Sequence, residues 1–217
     1  MAMADNQLSV HDRPIRTLLG RRFAAALACL ALVATAACGS RIDTSTTDQV
    51  TTPAPVPPTS ETPTPKGTLE QMTLAVREEA ERMIGGPHAE LEVTCPDIRG
   101  DKTCDAVFRG HRVRFDLEIK GATSTRVTYD ITTEQRFLTK ENLHRSFYKS
   151  VVDNANGKAP DPDEQLRCDM VPDVSVKTIG KEKLASLGLR CFHYDGTFTK
   201  ERHVKSSGAH LVFSSEP

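Results

Sequence analysis

The sequence predicts an α+β protein: two small tandem units, each a helix followed by antiparallel strands and closed by one disulfide, after a disordered Pro/Thr linker. Three observations carry this. Apolar residues recur at helical spacing in two segments, near 68–84 and 139–155, and alternate at strand spacing in the segments that follow. Four cysteines, Cys95, Cys104, Cys168 and Cys191, fall two in each half of that pattern. A stretch dominated by Thr, Ser and Pro precedes the first helix.

Arg13, Arg16, Arg21 and Arg22 precede an uncharged apolar run, FAAALACLALVATAA, which is followed by Cys38. The run at 23–37 is shorter than the ~20 residues a bilayer span needs, so a signal peptide over 1–37 is the reading. FAAALACLALVATAACGS resembles the lipobox of bacterial lipoproteins, in which small residues precede an invariant cysteine. The family prefers Leu three residues before that cysteine, where this chain has Thr35. The resemblance implies cleavage between Ala37 and Cys38, a diacylglyceryl thioether on Cys38, and a protein lipid-anchored to the cell membrane on its extracytoplasmic face. The alternative is plain secretion, with cleavage after Ala34-Thr35-Ala36. Arg21-Arg22 leaves both Sec and twin-arginine export open.

Residues 38–67 then read as the lipidated cysteine and a linker. Pro53, Pro55, Pro57, Pro58, Pro63 and Pro65 favour extended polyproline II, with a reach of up to roughly 90 Å at ~3.1 Å per residue. Its threonines are possible carriers of O-linked sugar, and a bare tether is the equal alternative.

The first unit is assigned to 68–134. Thr68-Leu69-Glu70-Gln71 has the form of a capping box, and Leu69, Met72, Val76, Ala80 and Met83 form one apolar stripe. Glu78 and Arg82 are spaced for an ion pair on the helix surface. Gly85-Gly86-Pro87 ends the helix. Strands follow at 91–95, Thr103–Phe108, 111–120 and 126–132. Val113, Phe115, Leu117 and Ile119 lie on one face of the third, and Arg112, Arg114, Asp116 and Glu118 on the other.

The second unit is assigned to 135–217. Thr139 caps a helix with Leu143, Phe147 and Val151 on its stripe, and Asn156-Gly157 ends it. Short strands are expected at 166–168, 174–179, 189–193 and His210–Ser214, with a helical insertion at 181–187. The spacing of Gly110 and Gly121 after Cys104 approximates that of Gly196 and Gly208 after Cys191, which marks a diverged repeat. Four cysteines allow three pairings. The sequential one, Cys95–Cys104 and Cys168–Cys191, places one bridge in each repeat. Each would stabilise by roughly 3 kcal/mol through loop closure.

LEVTCPD, with Thr103-Cys104 and the alternating strands after it, resembles an uncharacterised domain family of actinobacterial secreted proteins and lipoproteins. The likeness covers 68–133. It implies a cell-envelope address and no assigned chemistry.

Removing the four arginines and two aspartates of 1–37 leaves 24 basic and 27 acidic residues of the original 28 and 29, a charge of −3. Without basic excess, nucleic acid is not an expected partner. His193, Asp195, His203 and His210 are the nearest approach to a metal cluster, but they fall on strands and turns of mixed phase, so no metal site is assigned. Ser206 and Ser207 read as a polar turn, and Gly-x-Ser-x-Gly, His-Glu-x-x-His and phosphate-cradling loops are missing from the sequence, so neither catalytic residues nor cofactors are assigned. The expectation is a non-enzymatic binding module for an envelope protein or other ligand, with the membrane as second partner. A secreted inhibitor, with tandem units similar in architecture to β-lactamase inhibitory proteins, is the alternative, and an envelope enzyme or metal carrier comes after it.

Overall fold

Helix α1 (Thr68–Ile84) lays Met72, Val76, Ala80, Met83 and Ile84 into the interior, as its stripe requires. The computed structural model describes residues 42–56, 67–96, 102–122 and 127–216. Two expectations change at the start of α1. Gly67 occupies the N-cap with no side-chain cap bond, so Thr68 is already inside the helix and the capping box does not form. Leu69, one turn ahead of the buried stripe, is 37% exposed. Arg82 pairs with Glu79 rather than Glu78, and Arg77 pairs with Glu81 at 3.8 Å. Gly85 ends the helix at φ 100°, and its N–H and that of Gly86 both donate to the Glu81 carbonyl.

Four strands follow: β2 (Leu91–Thr94), β3 (Thr103–Phe108), β4 (His111–Ala122) and β5 (Val127–Thr132). They form an antiparallel meander in chain order. Arg109 and Gly110 form the two-residue turn between β3 and β4, both at positive φ, which matches the right-handed twist of the flanking strands. Val113, Phe115 and Leu117 are buried against α1 and alternate with exposed charged residues, as period-two patterning dictates.

Strand β6 (Gln135–Thr139) was not expected. Four of its five residues are buried, Arg136 among them, so it lacks the alternation by which a half-buried strand is recognised. It runs into helix α2 (Lys140–Asn154), whose N-cap is Thr139; the Thr139 Oγ1 accepts from the Asn142 N–H at 3.0 Å. Leu143, Phe147 and Val151 form the buried face of α2.

Strands β7 (Gln165–Asp169), β9 (Ala185–Tyr194), β10 (Thr199–Ser207) and β11 (His210–Ser214) make a second antiparallel meander. Between β7 and β9, strand β8 (Val174–Thr178) leaves this sheet and pairs with β6. The helical insertion expected at 181–187 is absent: residues 181–184 are irregular, and Ala185 already begins β9. Ser206 and Ser207 close β10 rather than lying in a turn; the turn is Gly208-Ala209, with Gly208 at φ 57°. Both bridges of the sequential pairing are present, Cys95–Cys104 and Cys168–Cys191.

The fifth strand of that sheet comes from the expected linker. Strand β1 (Thr47–Gln49) pairs antiparallel with β7 at its edge. Thr47 and Val50 are 2% and 5% exposed, the Val50 N–H donates to the Leu166 carbonyl at 2.8 Å, and the Met170 N–H donates to the Thr46 carbonyl at 3.0 Å. The edge of β7 supplies the partner groups that make this segment a strand. The linker expected over 38–67 is therefore interrupted by a docked strand. The pattern was hidden because one Val among threonines carries little periodicity.

Two apolar clusters fill the fold. The first gathers α1 and the β2–β5 sheet, together with Phe137, Val174 and Ala209. The second gathers α2 and the five-stranded sheet, with Val50 from the N-terminal strap. Phe137 and Leu138, adjacent on β6, point to the first and second cluster respectively.

Candidate functional site

The first turns of α2 cap the end of α1, and that union builds the site. Asn142 Nδ2 donates to the carbonyls of Met83 at 2.7 Å and Arg82 at 3.2 Å, and Thr139 Oγ1 donates to that of Ile84 at 2.9 Å. Arg145 Nη1 donates to the Gly85 carbonyl. The last carbonyls of a helix lack intrahelical partners, and here side chains of the next helix supply them. The approach is close enough that a Cβ on Gly85 would lie 3.1 Å from the Asn142 Cβ.

Beyond this junction lies a groove of about 1040 Å³, lined by α1, α2 and β11. Leu74, Leu211 and Phe213 give it apolar surface; Arg77, Glu78 and Glu81 line it from α1, and Ser146, Lys149, Ser150 and Asp153 from α2. The volume is at the upper end of ligand sites, which run from ~300 to ~1,000 Å³. Four of its charged groups pair locally, Arg77 with Glu81 and Lys149 with Asp153 at 2.5 Å. Burial, and then the neighbouring Glu78, push the Glu81 carboxyl up, while Arg77 opposes them. Strand β11 is an edge of the five-stranded sheet and pairs only with β10 among the described residues. Ser207 and His210 flank a two-residue hairpin turn and so form a hydrogen-bonded pair; by alternation, the backbone groups of Leu211 and Phe213 face away from β10.

A smaller cavity, about 320 Å³, also adjoins the helix junction and is lined by His88, Arg109, Lys140, Glu141, His144 and Asp173 among others. Lys140 is bonded to Asp48 at 2.9 Å and Arg109 to Glu90 at 2.6 Å. The His144 Nε2 is buried with no hydrogen-bond partner among the described residues. Burial, then Lys140, lowers its pKa, and Asp48 opposes them.

The histidines singled out in sequence do not converge. His193 contacts Glu164 at 2.6 Å, His203 lies 3.7 Å from Glu201, and His210 lines the groove. Asp195 accepts from the Thr197 and Phe198 N–H groups and pairs with Lys200 at 2.8 Å; these bonds, the Lys200 one first, hold its carboxyl well below the usual range. No group of three or more His, Cys, Asp or Glu residues is placed to hold a metal among the described residues. Ser206 is buried and bonded to Arg136 Nη1 at 2.8 Å. Cys38 lies outside the described residues. No described helix is long and apolar enough to cross a membrane.

The groove residues were missed in sequence because they read as ordinary helix surface. The one signal for them was the polar face of α2, where Ser146, Lys149, Ser150 and Asp153 recur at helical spacing. No family model, no curated protein and no solved structure matches the chain.

Proposed function

We propose that the chain is a lipoprotein held to the extracytoplasmic face of the cell membrane through Cys38, and that its folded part is a non-catalytic binding module whose ligand or envelope partner occupies the groove between α1, α2 and β11. The observation that carries the binding role is the groove itself. It combines apolar surface with an open strand edge, and two of its charged pairs, Arg77–Glu81 and Lys149–Asp153, are engaged within it. The anchor rests on the resemblance of the stretch before Cys38 to a lipobox.

The module is built from two diverged copies of one unit. This is supported by the strand orders β2-β3-β4-β5 and β7-β9-β10-β11, each after a helix, each with a disulfide between its first two strand regions. Strands β6 and β8 are then additions to the second copy, and Phe137, Val174 and Ala209 stitch it to the first.

The anchor is tested by palmitate labelling of the native chain and its loss in Cys38→Ala; unchanged labelling rejects it. The groove is tested in intact cells with a photo-crosslinking residue at Val212, against a control at Glu118 on the solvated face of β4. Capture of one discrete species from position 212 and not from 118 is expected. Equal capture from both removes the groove from consideration.

A further inference from the structure

Docking of the N-terminal strap fixes how many residues separate Cys38 from the fold. The fold begins before β1. Asp43 Oδ1 accepts from the N–H and Oγ of Ser45 at 2.8 and 2.6 Å, and its carbonyl accepts from Thr47 Oγ1 at 2.5 Å. Arg167 holds the same turn, bonding Thr47 Oγ1 at 2.8 Å, the Thr47 carbonyl at 2.5 Å and the Thr44 carbonyl at 3.4 Å. Four residues, 39–42, then separate Cys38 from Asp43. Fully extended, the five steps from Cys38 to Asp43 cover at most ~18 Å.

The point of attachment is equally defined. Strand β1 runs antiparallel to β7, with Thr47 opposite Asp169, so the chain arrives beside Met170. Met170 is 53% exposed. The opposite end of the sheet is the turn between β9 and β10, where Phe198 is 69% exposed. From Asp169 back to Gln165, which lies opposite Tyr194, is ~13 Å at ~3.3 Å per residue, and the turn extends further. Reaching the bilayer at the Phe198 end would require close to the full contour length of residues 39–42 along the sheet. Bringing the Met170 end there needs no such extension.

From this we infer that the end of the five-stranded sheet carrying Thr46 and Met170 lies against the lipid bilayer, with Met170 as its apolar contact. The inference rests on lipidation at Cys38. The groove lies along β11, the opposite edge of the same sheet from β1, and is left open to the envelope. The anchor thus orients the module as well as retaining it.

The test uses the acylated mature chain in vesicles of phosphatidylethanolamine and phosphatidylglycerol. Met170→Cys and Phe198→Cys, both at exposed positions, are each labelled with a fluorophore and quenched by a headgroup nitroxide lipid. Quenching several-fold stronger at 170 than at 198 is expected. Equal quenching, or stronger quenching at 198, overturns the inference. Mass spectrometry of the same samples separates the two failures. A chain without a diacylglyceryl group on Cys38 rejects the anchor and the inference together, whereas an acylated chain without the contrast rejects the inference alone.

Discussion

Arg136 Nη1 donates to the Oγ of Ser206 at 2.8 Å, and neither residue has more than 1% of its surface exposed. The guanidinium also donates to the carbonyls of Phe137, Ala209 and His210 at 3.1, 3.2 and 3.1 Å. All four acceptors are uncharged. Burial lowers the pKa to about 10, with Glu79 opposing, so the group stays charged near neutrality. A planar fork with several donors is what lets one side chain hold β6 to the β10–β11 hairpin.

Arg136→Met is therefore expected to destabilise the fold by about 3 kcal/mol, because buried carbonyls lose their donor along with the removed charge. Arg136→Lys keeps the charge but not the fork and should fall between. Urea unfolding of the oxidised chain measures both. A Met variant as stable as the parent would show that water or neighbouring groups satisfy those carbonyls instead.

The helix junction makes a second, separable claim. Asn142→Leu removes the two bonds from Asn142 Nδ2 to the end of α1 while keeping the heavy-atom branching of the side chain. The expected loss is about 2 kcal/mol. Hydrogen exchange should rise at the Gly85 and Gly86 amides, which close the last turn of α1, before it rises in the β2–β5 sheet. Exchange that rises uniformly would mean that the junction is not a local clasp.

Regular patterning was legible, and its absence was not. The stripe Leu69, Met72, Val76, Ala80, Met83 and the alternation Val113, Phe115, Leu117, Ile119 repeat at the period of their element, and all but Leu69 and the half-buried Ile119 are buried. The bridges were legible from the placing of two cysteines in each half. Strand β6 escaped because it is buried on both faces, and β1 because a sheet edge elsewhere in the chain makes it a strand. The groove escaped for a third reason. Its walls come from residues more than 130 positions apart, such as Arg77 and Phe213, and each wall alone is a plain solvated surface.

His144 gives stability a pH dependence of defined sign. Burial and Lys140 lower its folded-state pKa below the ordinary 6.5, with Asp48 opposing. As pH falls through the unfolded-state value, the unfolded chain takes up the proton first, so stability is lost with acid and is fully retained above it. The facing groups from other elements are His88, Arg109 and Asp173, with Glu141 and Lys140 on its own helix. Melting temperatures at pH 7.5 and pH 5.5 should differ less for His144→Gln than for the parent. An unchanged difference would assign the acid sensitivity to groups other than His144.

The strap is a testable part of the fold in its own right. Arg167 makes three bonds to Thr44 and Thr47, whereas the Lys140–Asp48 pair, with side chains 40% and 23% exposed, is a surface contact. Charge-assisted bonds to backbone carbonyls are worth more than an exposed ion pair, which typically contributes less than about 1 kcal/mol. Arg167→Ala should therefore release the strap and Lys140→Ala should not. The reporter is the Val50 amide, which donates to the Leu166 carbonyl only while β1 is docked. Its hydrogen exchange should accelerate strongly in Arg167→Ala, and chain cleavage by a protease should appear within residues 39–50, with the β9–β10 pairing still protected. If Val50 stays protected in Arg167→Ala, then the burial of Val50 and the backbone pairing with β7 hold the strap without the guanidinium.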